Sequence, residues 1–237
     1  MIPNMLVSIS GLPKSGKTWL SMTFPEPIKV FSFDSGADFV RTRFPKKEIV
    51  VRNFILPVIE TEVMSWASEP WDEFYSEFMQ SVVDGEYQTV VIDTATAAEI
   101  MLRQAILEWL QEEADIKNKV KRKLATNEYV ARNLRMKAIF DRARVSGINL
   151  VTIQYLGERW VRKAGADRAE STGELVLQGW NQTEGYADLN IEMTAKDKGD
   201  KTVMIATIKS NRFDRDVNRK SFEDTNFEEI AALLFGE

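Results

Sequence analysis

The sequence predicts an α/β protein, with a mostly parallel central sheet flanked by helices and an antiparallel hairpin near the C-terminus. Three observations carry this. Short apolar, β-branched runs alternate with longer stretches of helical spacing up to residue 153, the pattern of strands joined by crossover helices. A glycine-punctuated segment, residues 11–16, joins the first such run directly to the first helix. Two alternating runs, 188–194 and 202–209, then follow one another across a short charged turn, as in a hairpin.

Met5-Leu6-Val7-Ser8-Ile9-Ser10 reads as a short buried strand, and Thr18-Trp19-Leu20-Ser21-Met22 as the opening of a helix. Pro25-Glu26-Pro27 stops that helix. Residues 28–33 form a strand that runs into Asp34, and 48–56 hold another short one. Residues 59–83 look helical, with Trp66, Trp71, Phe74, Phe78 and Val82 supplying core contacts rather than a base-stacking surface. After the turn Asp84-Gly85-Glu86, the run Thr89-Val90-Val91-Ile92 ends at Asp93. A long helix covers about 96–113, and a dense basic cluster follows at Lys117, Lys119, Lys121, Arg122 and Lys123. The arginine-bearing helix 130–146 leads to a strand at 148–153 that ends at Gln154. Residues 157–185 show no clear period and are expected to form a long irregular loop, of the kind that is usually functional or mobile. In the hairpin Leu189, Ile191 and Met193 face inward, and 226–235 make a terminal helix. With no repeat and no linker, residues 1–237 read as one domain.

The chemistry starts at Gly11-Leu12-Pro13-Lys14-Ser15-Gly16-Lys17-Thr18, which spells G-x-x-x-x-G-K-T. That pattern arises by chance in roughly one chain in a hundred of this length, and here strand and helix flank it as the motif requires. Such a P-loop turns its backbone N–H groups toward a phosphate, and the helix N-terminus adds its positive end. Residues 11–18, with Trp19 following, are the expected nucleotide cradle. Pro13 stiffens it, Lys17 reaches the β- and γ-phosphates, and the Thr18 hydroxyl ligates Mg²⁺. Asp93, ending a buried strand about 80 residues later, is the acid that completes a Mg²⁺ site. Asp34, Gly36 and Asp38 lie at the carboxyl end of another strand, where open α/β sheets bind ligands. Gln154 ends the next and is positioned to touch the γ-phosphate or its attacking water.

Composition narrows the chemistry. The chain has 237 residues, 44% hydrophobic and 28% charged, with no cysteine and no histidine. Disulfides, thiolate zinc sites and imidazole catalysis are excluded, leaving carboxylates, lysine, arginine and amides, a set that suits phosphoryl transfer. No apolar run is long enough to span a membrane, and no basic-then-apolar leader opens the chain. A cytoplasmic protein is expected. The net charge of −5 argues against indiscriminate coating of nucleic acid but leaves room for a local basic groove.

With these residues in place, the layout resembles the RecA-type P-loop ATPase core. It is similar, more closely, to the short phage ATPases of the Sak type, which are single-strand annealing and recombination proteins. The resemblance rests on Gly11–Thr18, the strand reaching Asp34, Thr89–Asp93, and Lys209-Ser210-Asn211-Arg212-Phe213-Asp214-Arg215 after the hairpin. It implies an oligomeric ATPase, ring or filament, with ATP and Mg²⁺ as cofactors. Nucleotide binding falls to Gly11, Gly16, Lys17 and Thr18, Mg²⁺ to Thr18 and Asp93, and γ-phosphate sensing to Gln154. Lys209, Arg212 and Arg215 fall where the family reaches basic residues into a neighbour's site. One position departs: where the family places its water-activating glutamate, this chain has Gly36, so Asp34 or Asp38 must substitute, or hydrolysis is slow.

The resemblance also implies single-stranded DNA as a partner, with a single-strand binding protein as a further one. The candidate contacts are Lys121, Arg122 and Lys123, and the loop carrying Arg159, Trp160, Arg162, Lys163 and Arg168. Basic groups with an interleaved aromatic suit sequence-independent single strands. Two alternatives stay open: a switch or assembly ATPase acting on a protein partner, and a small-molecule kinase with 157–168 as an arginine-rich lid. No guanine-selective N/T-K-x-D motif occurs, which favours ATP.

Overall fold

The structure is a computed structural model and describes residues 2–55, 67–113, 124–162 and 168–236. Nine strands and seven α-helices alternate along these residues. The first half runs β1 (Leu6–Gly11), α1 (Lys17–Ser21), β2 (Ile28–Ser32), α2 (Ala37–Arg41), β3 (Ile49–Asn53), α3 (Ser68–Val83), β4 (Thr89–Asp93) and α4 (Ala95–Glu113). The second half runs α5 (Tyr129–Ser146), β5 (Asn149–Val161), β6 (Glu170–Leu177), α6 (Thr183–Tyr186), β7 (Leu189–Lys198), β8 (Lys201–Asn211), β9 (Ser221–Glu223) and α7 (Phe227–Phe235).

The sheet order is β3-β2-β4-β5-β1-β7-β8-β9, with β6 pairing β5 off this path. Strands β3 through β7 in that order are parallel, and β8 and β9 continue antiparallel. Strand β5 therefore lies between the glycine-loop strand β1 and the Asp93 strand β4. The expected fold, a mostly parallel sheet with a C-terminal antiparallel hairpin, is the fold observed.

Strand parity divides the core into two layers, because successive side chains point to opposite faces. On one face Leu6, Phe31, Val90, Ile92 and Leu150 pack with α3, α4 and α5. The Phe31 and Phe74 rings meet there edge to face, centroids 5.3 Å apart, and Trp71, Phe78 and Val82 are buried beside them. On the other face Val7, Ile9, Val30, Val91, Val151 and Ile153 pack with α1 and α7. The side chain of Asn226 caps α7 by accepting from the Glu229 amide at 3.0 Å. Phe227, one residue on, lies 4.2 Å from the Phe24 ring, so the last helix closes over the segment that follows α1.

Two expectations are corrected here. The strand carrying Gln154 does not end there. It continues as β5 to Val161 and pairs antiparallel with β6, so residues 157–161 and 170–177 form a ribbon within the stretch expected to be an irregular loop. Trp180, within that span, is fully buried and stacks with Tyr186. Among the described residues, no helix is long and apolar enough to cross a membrane. Trp66, Lys117, Lys119 and the nucleic-acid candidates Lys121, Arg122, Lys123 and Lys163 lie outside the described residues.

Candidate functional site

The glycine loop lies between β1 and α1, at the carboxyl end of the parallel strands. Its two fixed glycines are required by geometry. Gly11 has φ +156°, and a Cβ there would sit 2.3 Å from the Met193 carbonyl oxygen. Gly16 has φ +87°, a conformation side chains rarely adopt, and its Cβ would press on Met204 Cγ at 3.1 Å. The buried Ser15 hydroxyl finds no partner among the described residues, which leaves it hydrogen-bonding capacity that an anion in this loop would use.

Three elements of one parity converge on this loop. Val30, Val91 and Ile153 face α1. Asp34, Asp93 and Tyr155 follow them at even intervals and line a cleft of about 460 Å³. Residues 13–19, Val40, Thr94 and Met204 complete its wall. Pro13 and Lys14 are exposed on the rim, and Leu12 beside them is 48% exposed. Trp19 is also on the wall, its ring 5.7 Å from Phe44.

At the centre, the Thr18 hydroxyl donates to Asp93 Oδ2 at 2.7 Å, which ties the P-loop helix to the β4 strand end. Asp93 is buried, and its other oxygen, Oδ1, has no partner among the described residues. Burial pushes its carboxyl up to about 7; the Thr18 hydrogen bond and Lys17 oppose this, and Asp34 adds to it. An orphaned carboxylate oxygen beside a threonine hydroxyl is a donor set that fits Mg²⁺, an oxygen-seeking ion that shares its sphere with substrate phosphates. Thr18 and Asp93 would hold the ion, which when bound neutralises charge on the phosphate oxygens. Lys17 is buried, and its ammonium donates to the carbonyls of Gly11 (3.0 Å) and Leu12 (2.6 Å). Burial lowers its pKa, against Asp93 and Asp34, which raise it.

Asp34 and Asp38 part company. Asp34 faces the cleft, with Oδ1 accepting from the Gly36 amide at 3.0 Å and Oδ2 from the Tyr155 hydroxyl at 3.1 Å. Asp38 turns aside to accept from Asn53 at 2.5 Å. Gln154 does not reach the cleft. It is fully buried on the opposite face, where its amide donates to the carbonyls of Gln178 (2.9 Å) and Trp180 (3.4 Å). The same parity argument puts its neighbour Tyr155 in the cleft, and counting two residues from Ile153 would have found it in the sequence.

Lys209 and Arg212, expected to reach a neighbour's site, lie away from the cleft of their own chain. Arg212 bonds through its amide to the Asp188 carbonyl, and the Asp188 amide bonds to the carbonyl of Leu6, the first residue of β1. That is the amino end of the sheet, five residues and roughly 16 Å along the strand from Gly11. Within its own chain the Arg212 guanidinium contacts Asp188 at 3.4 Å, and Lys209 contacts Glu184 at 2.8 Å. The carboxyl-end tip of the same hairpin instead carries Lys196, Lys198 and Lys201.

The nucleic-acid candidates that are described lie along the ribbon. Trp160 is 63% exposed, and Arg162 and Arg168 are exposed as well. Arg159 is paired with Glu174 at 3.0 Å, and with Glu158 and Glu170 the ribbon's charges come close to balance.

A family model for the AAA domain matches residues 4–216. No curated protein matches the chain. Among solved structures, a KaiC-like protein of the hyperthermophilic archaeon Pyrococcus horikoshii OT3 is similar in fold, with a TM-score of 0.53 at 12% identity, covering 93% of this chain and 85% of that one.

Proposed function

We propose, from the premise that this chain belongs to the AAA domain family, that it binds and hydrolyses ATP with Mg²⁺ and uses that cycle on single-stranded DNA as an oligomer. The observation that carries the ATPase reading is the Thr18–Asp93 hydrogen bond with the Asp93 Oδ1 oxygen left open beside it. In this reading Asp34 is the water-activating carboxylate. Water attacks the γ-phosphorus, its proton passes to Asp34, and the bond from the γ-phosphorus to the β–γ bridging oxygen breaks. The electron pair leaves with ADP. Lys17 swings from the loop carbonyls to the phosphates, where its charge opposes what accumulates in the transition state.

The DNA part of the proposal rests on the ribbon, which leaves the sheet at the cleft and presents Trp160 among arginines. Stacking of a base on an exposed indole, with arginine beside it, is sequence-tolerant and salt-sensitive. The ribbon's near-balance of charge and its exposed Val161 and Leu175 favour the second reading, a protein partner gripped by the same surface. Steady-state ATP hydrolysis with and without single-stranded DNA separates them, with Lys17→Ala as the blank. Several-fold stimulation by DNA is expected. Hydrolysis indifferent to DNA, with no DNA binding in the presence of ATP, would leave the protein-partner reading.

A further inference from the structure

We propose that Tyr155 is a positioning residue for hydrolysis, holding the Asp34 carboxylate in the cleft through its hydroxyl while its ring flanks Lys17. The proposal rests on the ATPase reading above. Asp34 sits on an exposed turn just past the end of β2, beside Ser35 in the left-handed region at φ 59°. Its own loop holds one oxygen, through the Gly36 amide. The other oxygen is held from across the sheet by Tyr155, 121 residues away in sequence. Without that second contact the carboxylate is free to rotate out of the cleft into solvent, since only a two-residue Asx-type turn restrains it.

Tyr155 itself is anchored on three sides. Its backbone pairs with Gly11, the first glycine of the loop. Its amide donates to the Thr96 hydroxyl at 3.1 Å, and its carbonyl accepts from the Gln178 amide at 2.8 Å. The Lys17 ammonium lies 4.9 Å from its ring centroid. Burial and the negative charge of Asp34 push the phenol up to about 12, so the hydroxyl keeps its proton and remains a donor throughout the physiological range. A phenylalanine would fill the same space and keep the cation–ring contact. The hydroxyl is thus the separable part, and what it touches is the carboxylate that takes the proton of the attacking water.

The test is a double-mutant cycle of Tyr155→Phe and Asp34→Asn, reading kcat for ATP and, separately, the Kd of a non-hydrolysable ATP analogue. In the wild-type background Tyr155→Phe should lower kcat about five- to tenfold and leave Kd within about twofold, the loss of one charge-assisted hydrogen bond. In the Asp34→Asn background the same substitution should cost almost nothing, because two residues acting through one group are not additive. An equal loss in both backgrounds, an unchanged kcat, or a loss confined to Kd would overturn the proposal. If Tyr155→Leu, which removes the ring as well, fails to fold, the phenylalanine cycle still decides. A wild-type protein that neither binds nor hydrolyses ATP would instead refute the ATPase reading itself.

Discussion

At the residue scale, the buried Asp93 carboxylate makes the protein's stability and its ligand binding respond to pH in opposite senses. Its folded pKa of about 7 lies above its ordinary 3.8. Between those values the native state keeps a proton that the unfolded chain has released. Stability of the nucleotide-free protein should therefore fall as pH rises from about 4 to about 7, by at most about 1.4 kcal/mol per unit, and level off above. Chemical denaturation of wild type and Asp93→Asn across that range checks this; the asparagine variant should lose the dependence. Mg²⁺ needs the ionised carboxylate, so Mg²⁺-dependent nucleotide affinity should drop below about pH 7, approaching tenfold per unit. The glycines give a second prediction. Gly11→Ala drives a Cβ into a carbonyl of the next strand, and should cost about 2 kcal/mol or more and abolish nucleotide binding, read by thermal unfolding and analogue titration.

At the scale of elements, the ribbon and the last helix make separate predictions. Trp160 is exposed, so Trp160→Ala should change stability by less than about 0.5 kcal/mol. On the single-strand reading proposed above, affinity for a labelled oligonucleotide, read by anisotropy, should still fall on the order of tenfold as stacking is lost. Asn226→Ala removes the cap of α7 and should lower the unfolding free energy by about 1 kcal/mol. Sequence and structure agree best where an element has one inside face. Strands 28–33 and 89–93 and the aromatic face of α3 were legible because burial on a fixed side imposes a period. The ribbon was not, because residues 158–161 and 170–175 are solvated on both sides and no alternation is selected. The P-loop and Asp93 were legible from motif and spacing. Gln154 was misread because a polar residue near a strand's carboxyl end looks like a ligand contact, while the carbonyls that satisfy it come from residues 178 and 180. Lys209 and Arg212 were assigned from resemblance to a neighbour's site, and their position at the amino end of their own sheet, where antiparallel β8 leads, has no sequence signal of its own.

For the whole molecule, ligand binding and fold stability are one equilibrium. ATP analogue with Mg²⁺ at 100 times Kd should add about 2.7 kcal/mol, a rise in Tm of roughly 5–10 °C. The rise should disappear in Lys17→Ala and on chelation of Mg²⁺, as seen by differential scanning calorimetry. Strand β5 gives this equilibrium an outlet. It is a single stretch of chain whose first half is locked between β1 and β4 and whose second half stands clear of the sheet. Six residues, Leu156 to Val161, extend about 20 Å beyond the cleft. A tilt of about 10° where β5 leaves the sheet at Tyr155 would carry Trp160 through about 3 Å, more than half the spacing of adjacent strands. Because the arm is anchored beside Asp34 and Lys17, a small change of angle at the cleft would be read out farthest at Trp160, the way a pointer magnifies the turn of its pivot.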